Sequence, residues 1–248
     1  MTDLSIRRPA VAGQFYPANP ALLRKMIQGY LDEAVLPADL GPVRAIIAPH
    51  AGYIYSGPIA GYAFKALSTI PDRRWTVYLL GPAHRAYFSG VALGTYSAFT
   101  TPLGEAPVDV DRVAELIVHS DIFVRGSEAH TLEHALEVEI PFIQTVLSDF
   151  RLVPMLFGQT DPGRVASHLA DWLDDDALIV VSSDLSHYLP YATAGRRDRA
   201  LLSTLIAGER ERLETGEACG RAPMVTLMDI ARCKGWRPIL LDYRSSGD

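Results

Sequence analysis

WTVYLLGPAH, residues 75 to 84, decides the reading of the fold. Trp75 to Leu80 is an almost unbroken apolar and β-favouring run, which is what a strand buried on both faces needs. Gly81 and Pro82 then end it, and a histidine follows at the exit. The same layout stands earlier in VRAIIAPHAGY, residues 43 to 53, where the run Val43 to Ala48 leads into Pro49, His50 and Gly52. Two more runs, Phe150 to Phe157 and Ala177 to Val181, have the same character, and Pro238 to Tyr243 is a fifth, less regular candidate strand. Between them the apolar residues recur at helical spacing. Helices are expected over residues 21–33, 59–67, 111–120, 137–147, 162–173, 193–207 and 223–234. Strand and helix in alternation predict an α/β fold, a three-layer α/β/α sandwich around a mostly parallel or mixed central sheet.

The chain has 248 residues, 48% of them hydrophobic and 21% charged, the balance of an ordinary globular protein. Without an internal repeat, a low-complexity tract or a long linker, residues 1–248 read as a single domain, with Leu36 to Pro42 leading into the first buried strand. The formal charge of -6 argues against nucleic acid as a partner, and the triplet Arg196, Arg197, Arg199 reads as a solvated face. No apolar run approaches the ~20 residues that span a bilayer, and Met1 to Arg8 is too polar to open a secretory signal, so no membrane association and a cytoplasmic location are expected. Two cysteines build no disulfide framework. If one helix joins Cys219 to Cys233, fourteen rises of ~1.5 Å hold them ~21 Å apart, so both thiols are expected free.

Ligands of open α/β sheets collect where strands end, and His50 and His84 both stand there. If their strands are neighbours, ~4.8 Å apart, the two loops can bring both imidazoles to one ion. The run ending at Val181 continues as SSDLSHY, which puts Asp184 and His187 at the same kind of exit; the carboxylate can orient an imidazole fit for general acid or base work. Ser182, Ser183 and Asp184 also suit plain turn or helix capping. Cys219, just ahead of an expected helix, should have its thiol shifted toward thiolate by the helix end, whereas Cys233 reads as packing. In Glu128 to Phe142, the string HTLEH matches HxxEH rather than HExxH, with His130 and His134 able to share a helix face at i, i+4. A serine hydrolase built on Ser182 or Ser183 would crowd three roles into one turn, and there is no GxSxG elbow.

Six ordered strings resemble the Memo-like family, also grouped as component B of the AmmeMemoRadiSam set. They are RRPAVAGQFYP at 7–17, APHAGYIYSG at 48–57, LLGPAHR at 79–85, EHALEVEIPF at 133–142, VVSSDLSHY at 180–188 and CGRAPM at 219–224. The resemblance implies a fold similar to type III extradiol dioxygenases, non-haem iron enzymes that open catechol rings. It places metal ligands on His50, His84 and Cys219, an acid or base on His187, and Asp184, His134 and Glu137 around the same pocket. The expected activity is an iron-dependent, dioxygenase-like oxidation of a small phenolic substrate, with Fe(II) as the metal. Cys219 stands where the dioxygenases carry a carboxylate, and a softer thiolate also suits copper or zinc. The alternative is a non-catalytic metal-handling or peptide-binding signalling module. The stretch from His187 to Cys219 is shorter than the family's, and the chain stops at YRSSGD where relatives continue into another strand, so a sheet edge lacking that strand is expected.

Overall fold

The computed structural model describes residues 5–248; the sequence expectation for Met1 to Arg8 therefore lies partly outside the described residues. The chain opens with a short strand, β1 (Ile6–Arg7), and helix α1 (Pro20–Glu33). Asn19 caps α1 by accepting the amides of Ala21 and Leu22, Pro20 supplies a preset first turn, and Leu23, Ile27 and Leu31 form its buried stripe. Strand β2 (Ala45–Ala48) leads into α2 (Tyr53–Leu67), and β3 (Arg74–Pro82) follows. Short strands β4 (Val91–Leu93), β5 (Ala98–Thr101) and β6 (Gly104–Pro107), helix α3 (Val110–His119), strand β7 (Phe123–Arg125) and helix α4 (Ser127–Thr131) fill the middle. A 3-10 turn at Glu137–Glu139 runs into α5 (Ile140–Val146), then β8 (Asp149–Phe157), α6 (Pro162–Ala170) and β9 (Ala177–Ser182). Helices α7 (Tyr191–Ala207), α8 (Arg210–Glu214) and α9 (Arg221–Lys234) complete the order.

Six strands form a mixed sheet in the order β2-β9-β3-β8-β4-β7, with β2, β9, β3 and β8 parallel and β4 antiparallel to β8. β1, β5 and β6 make a separate small sheet. The four long apolar runs are the four parallel strands of the α/β sandwich that the alternation predicts; β3, β8 and β9 are buried on both faces, whereas β2, at the sheet edge, alternates buried and half-buried residues, so two-sided burial does not hold for it. Their parallel direction sends the exits of β2, β9 and β3 to one end of the sheet, which is where the candidate site forms.

Several expectations are corrected. β2 and β3 are not neighbours, because β9 lies between them, so His50 and His84 are not joined by a single interstrand spacing. Pro238 to Tyr243 forms no strand; Tyr243 is held instead by its hydroxyl donating to Asp198 at 2.9 Å. α2 begins six residues before the expected position, at Tyr53, and carries Pro58 inside it. The buried Tyr53 ring and its hydroxyl, which donates to Val138 O at 2.7 Å, anchor the extra turns against the loss of one helical bond at proline. The arginine triplet is, by contrast, the solvated face expected: all three are exposed, with local partners only, Arg196 with Thr193, Arg197 with Glu217, and Arg199 over the Tyr243 ring. No helix among the described residues is long and apolar enough to cross a membrane.

Candidate metal centre

His50 follows β2 by two residues. Its backbone amide donates to Asp184 Oδ1 at 2.8 Å, and its Nδ1 stands 2.7 Å from Ser182 Oγ at the end of β9. The intervening strand is therefore the support on which His50 rests. Its ring reaches across to within 5.2 Å of the His84 ring, centroid to centroid, in an edge-on arrangement. Nε2 of His50 is left facing Cys219 Sγ at 3.3 Å.

His84 is gripped by one residue, Glu133, whose carboxylate accepts the His84 amide at 2.5 Å and faces its Nδ1 at 2.9 Å. Glu133 also accepts the amides of His134 and Ala135, and these bonds together with His84 overcome burial to hold its carboxyl well below the usual range. With Nδ1 occupied, His84 offers Nε2.

Cys219 reaches the same point from the turn before α9. Its amide donates to Asp184 O at 3.2 Å, while its sulfur accepts the Asp184 amide at 3.1 Å. Gly220 makes this approach feasible: a Cβ there would sit 2.5 Å from Ser183 Cβ and 2.6 Å from Ser182 O. Burial pushes the Cys219 thiol up, but the imidazoles of His50 and His84 outweigh it and bring the net value down. Two neighbouring imidazoles thus favour the thiolate of a cysteine that also stands just ahead of α9. Cys219 and Cys233 are both free, as expected, yet Cys233 is exposed and does not pack.

The donor atoms of His50, His84 and Cys219 lie within 4.8 Å of one another. Around one tetrahedral ion, with sulfur at ~2.3 Å and nitrogen at ~2.1 Å, adjacent donors stand about 3.6 Å apart. The 3.3 Å between Cys219 Sγ and His50 Nε2 is close to that spacing, and both histidines have their other nitrogen held by a polar partner, as metal-ligating histidines do. One thiolate and two imidazoles therefore fit a single transition-metal ion.

His134 stacks on His84 at 4.9 Å and packs against Phe15; burial pushes its pKa down to about 4, so the ring is neutral at physiological pH. Asp184 and His187 stand as an ion pair 3.7 Å apart, longer than a hydrogen bond. The Asp184 carboxylate raises the His187 pKa. His187 is nearly half exposed, and with Asp184 and Tyr188 it lines a groove of about 1630 Å³ that also touches Tyr55 and Tyr191.

Other sequence candidates fall elsewhere. Glu137 is not in the pocket: it is buried in an ion pair with Arg7 and accepts the amides of Ala10 and Val11 and the Tyr16 hydroxyl, so it ties the N-terminal segment to the core. His130 is buried against Ala92 O, and α4 ends at Thr131, so His130 and His134 share no helix face and the HxxEH reading fails. The serine hydrolase fails as well, because Ser182 Oγ faces His50, Ala135 and Glu139, and Ser183 Oγ bonds Asp184 O and the Gly220 amide. Sequence reasoning named Glu133 only as part of the HxxEH string, not as the partner of His84, and missed Ser182 as a support for His50, and Glu139. Adjacency of Glu133 to His134 was the available signal for the first; for the other two there was none, since their roles depend on the position of β9.

Comparison with known proteins gives the family of the chain. A family model described as Memo-like protein matches residues 7–248. A MEMO1 family protein of Methanopyrus kandleri is 36% identical over 98% of this chain and 93% of its own length, and one of Archaeoglobus fulgidus is 35% identical over 98% and 94%. Among solved structures, an uncharacterized protein from Escherichia coli K12 is similar in fold, with a TM-score of 0.50 at 16% identity, covering 76% of this chain and 89% of the other. The match over nearly the full length places this chain in the Memo-like family.

Proposed function

We propose that this Memo-like protein is a mononuclear non-haem metal protein in which His50, His84 and Cys219 hold the ion, with Fe(II) the first choice and copper or zinc the alternatives. The observation that carries the reading is the convergence of three soft or borderline donors within 4.8 Å, with Nδ1 of each histidine held from behind. Three protein ligands leave positions open, the arrangement of a catalytic rather than a structural site.

A bound iron would activate O2, the oxidant, for a dioxygenase-like reaction on a small phenolic substrate. The chain's own contribution is positional and acid-base. Asp184 holds the His50 backbone and faces Nε2 of His187, so the imidazole of His187 is kept at the groove side of the site with Nδ1 as the nitrogen free to give or take a proton. His134, neutral and stacked on His84, limits water on the opposite side.

The second reading is a non-catalytic metal-handling or peptide-binding module, favoured by the size of the groove and its exposed Tyr55, Tyr188 and Tyr191. Metal analysis of protein purified without oxygen tests the common part: one equivalent of metal in the parent and in Cys233→Ala, and none in His50→Ala, His84→Ala or Cys219→Ala. Unchanged metal content in those three variants would overturn the site. O2 consumption by the iron-loaded protein with catechols separates enzyme from module.

A further inference from the structure

Ser182 Oγ is fully buried and has three polar neighbours: Ala135 O at 2.7 Å, His50 Nδ1 at 2.7 Å and Glu139 Oε1 at 2.9 Å. A hydroxyl carries one hydrogen and two lone pairs. An amide oxygen can only accept, so at 2.7 Å the single hydrogen must point to Ala135 O; any other choice sets two oxygens against each other without a proton between them. The remaining two neighbours must then both donate. We infer that Glu139 is a neutral carboxylic acid donating to Ser182, and that Ser182 in turn holds a His50 proton on Nδ1, so that Nε2 is the ring nitrogen turned toward Cys219.

A second observation points the same way. Glu139 is completely buried, its Oε2 has no hydrogen-bond partner, and no Lys, Arg or His pairs with it among the described residues. An ionised carboxylate in that position would be an unpaired buried charge, among the costliest arrangements a fold can hold, whereas a neutral acid there forfeits one weak acceptor. Burial, with a smaller push from the Asp184 charge, accordingly raises the Glu139 pKa well above the ordinary carboxylate range.

The consequence concerns the ligand. Were Glu139 charged, it would compete for the Ser182 hydrogen and leave an oxygen lone pair facing Ala135 O. With Glu139 neutral, Nδ1 of His50 carries a proton before any ion arrives, which leaves Nε2 as the nitrogen for the metal. Glu139 and Ser182 are thus positioning residues for the proposed site, and the inference rests on that site only for its effect on affinity; the proton positions stand independently of whether metal binds.

The test is chosen to separate the two. Infrared difference spectra of metal-free parent and Glu139→Gln should reveal a carboxylic-acid C=O band in the parent that the variant lacks, and nitrogen NMR of the imidazoles should report His50 protonated at Nδ1 in both, because a glutamine amide can donate to Ser182 as the acid does. Zinc titration should then give Glu139→Gln an affinity within about 3-fold of the parent, and Ser182→Ala one lower by ~10- to 100-fold, the usual effect of removing a residue that orients a metal ligand. Circular dichroism checks that both variants fold. If the acid band is absent, or if Glu139→Gln loses affinity as Ser182→Ala does while folded, the inference is wrong. If the parent binds no zinc yet shows the acid band and the Nδ1 proton, the inference stands and the metal site falls.

Discussion

The carboxylate of Glu133 holds His84 at two points, accepting its backbone amide at 2.5 Å with one oxygen and facing its Nδ1 at 2.9 Å with the other. One side chain thereby sets both the position of the loop after β3 and the direction of the imidazole on it. A metal-binding role for His84 accordingly makes Glu133 a supporting carboxylate. Glu133→Gln, which keeps the shape but loses the charge, should weaken metal binding ~10- to 100-fold while the protein stays folded. Zinc or iron titration of the variant measures this, and unchanged affinity would separate His84 from the site.

His187 is expected to be dispensable for the metal and necessary for turnover. Its imidazole lies 3.7 Å from Asp184 and outside the cluster of three donors. General acid or base action is typically worth ~10²- to 10⁴-fold, so His187→Ala should slow any oxygen-dependent reaction by about that factor with full metal content. Loss of the metal would make His187 a ligand; retention of both metal and rate would remove it from the reaction.

Arg7 and Glu137 are both buried, and the carboxylate is saturated by the guanidinium, two amides and the Tyr16 hydroxyl. Taking away either partner strands a charge in the interior, which typically costs ~3–5 kcal/mol. Arg7→Met and Glu137→Leu should each lower the unfolding free energy by about that amount in urea titrations, and the double variant should lose less than the sum of the two. Additive losses would show that the pair is not coupled.

Burial pushes the His130 pKa down to about 4 from its ordinary 6.5, so the fold prefers the neutral ring. The unfolded chain then binds more protons between these values. The stabilising preference is complete above pH 6.5 and lost as pH falls through about 4, a change on the order of 3 kcal/mol. His130→Gln, whose amide can still reach Ala92 O, should flatten the stability profile between pH 6.5 and 4 relative to the parent. Parallel profiles for the two proteins would refute the assignment.

Much of this architecture was legible because the parallel strands are long, apolar runs that end in turn residues. Trp75 to Leu80 and Ala177 to Val181 lie inside the observed β3 and β9. The small strands β4, β5 and β6 escaped notice for the opposite reason: three or four residues such as GEAP carry no periodicity, and they become strands by pairing with distant segments. At the site, His50, His84, Cys219, Asp184 and His187 could be proposed one at a time from their places at chain exits. What joins them could not. The strand order determines that Ser182 rather than an adjacent loop lies under His50, and a spacing rule along the chain contains no information on which strand comes between two others.

That same order has a consequence for synthesis. β2 and β3 end 134 and 100 residues before the end of β9, the strand that pairs with both, so a nascent chain of about 170 residues has two apolar strands with the slot between them unfilled. Such edges invite pairing with other chains, and a gap closed only by a late segment makes folding depend on the far end of the polypeptide. His50 has no serine beneath it, and no cysteine opposite, until residues 182 and 219 have been made. For the proposed metal site this means that the two early histidines would lack their third donor and their support until those residues are made.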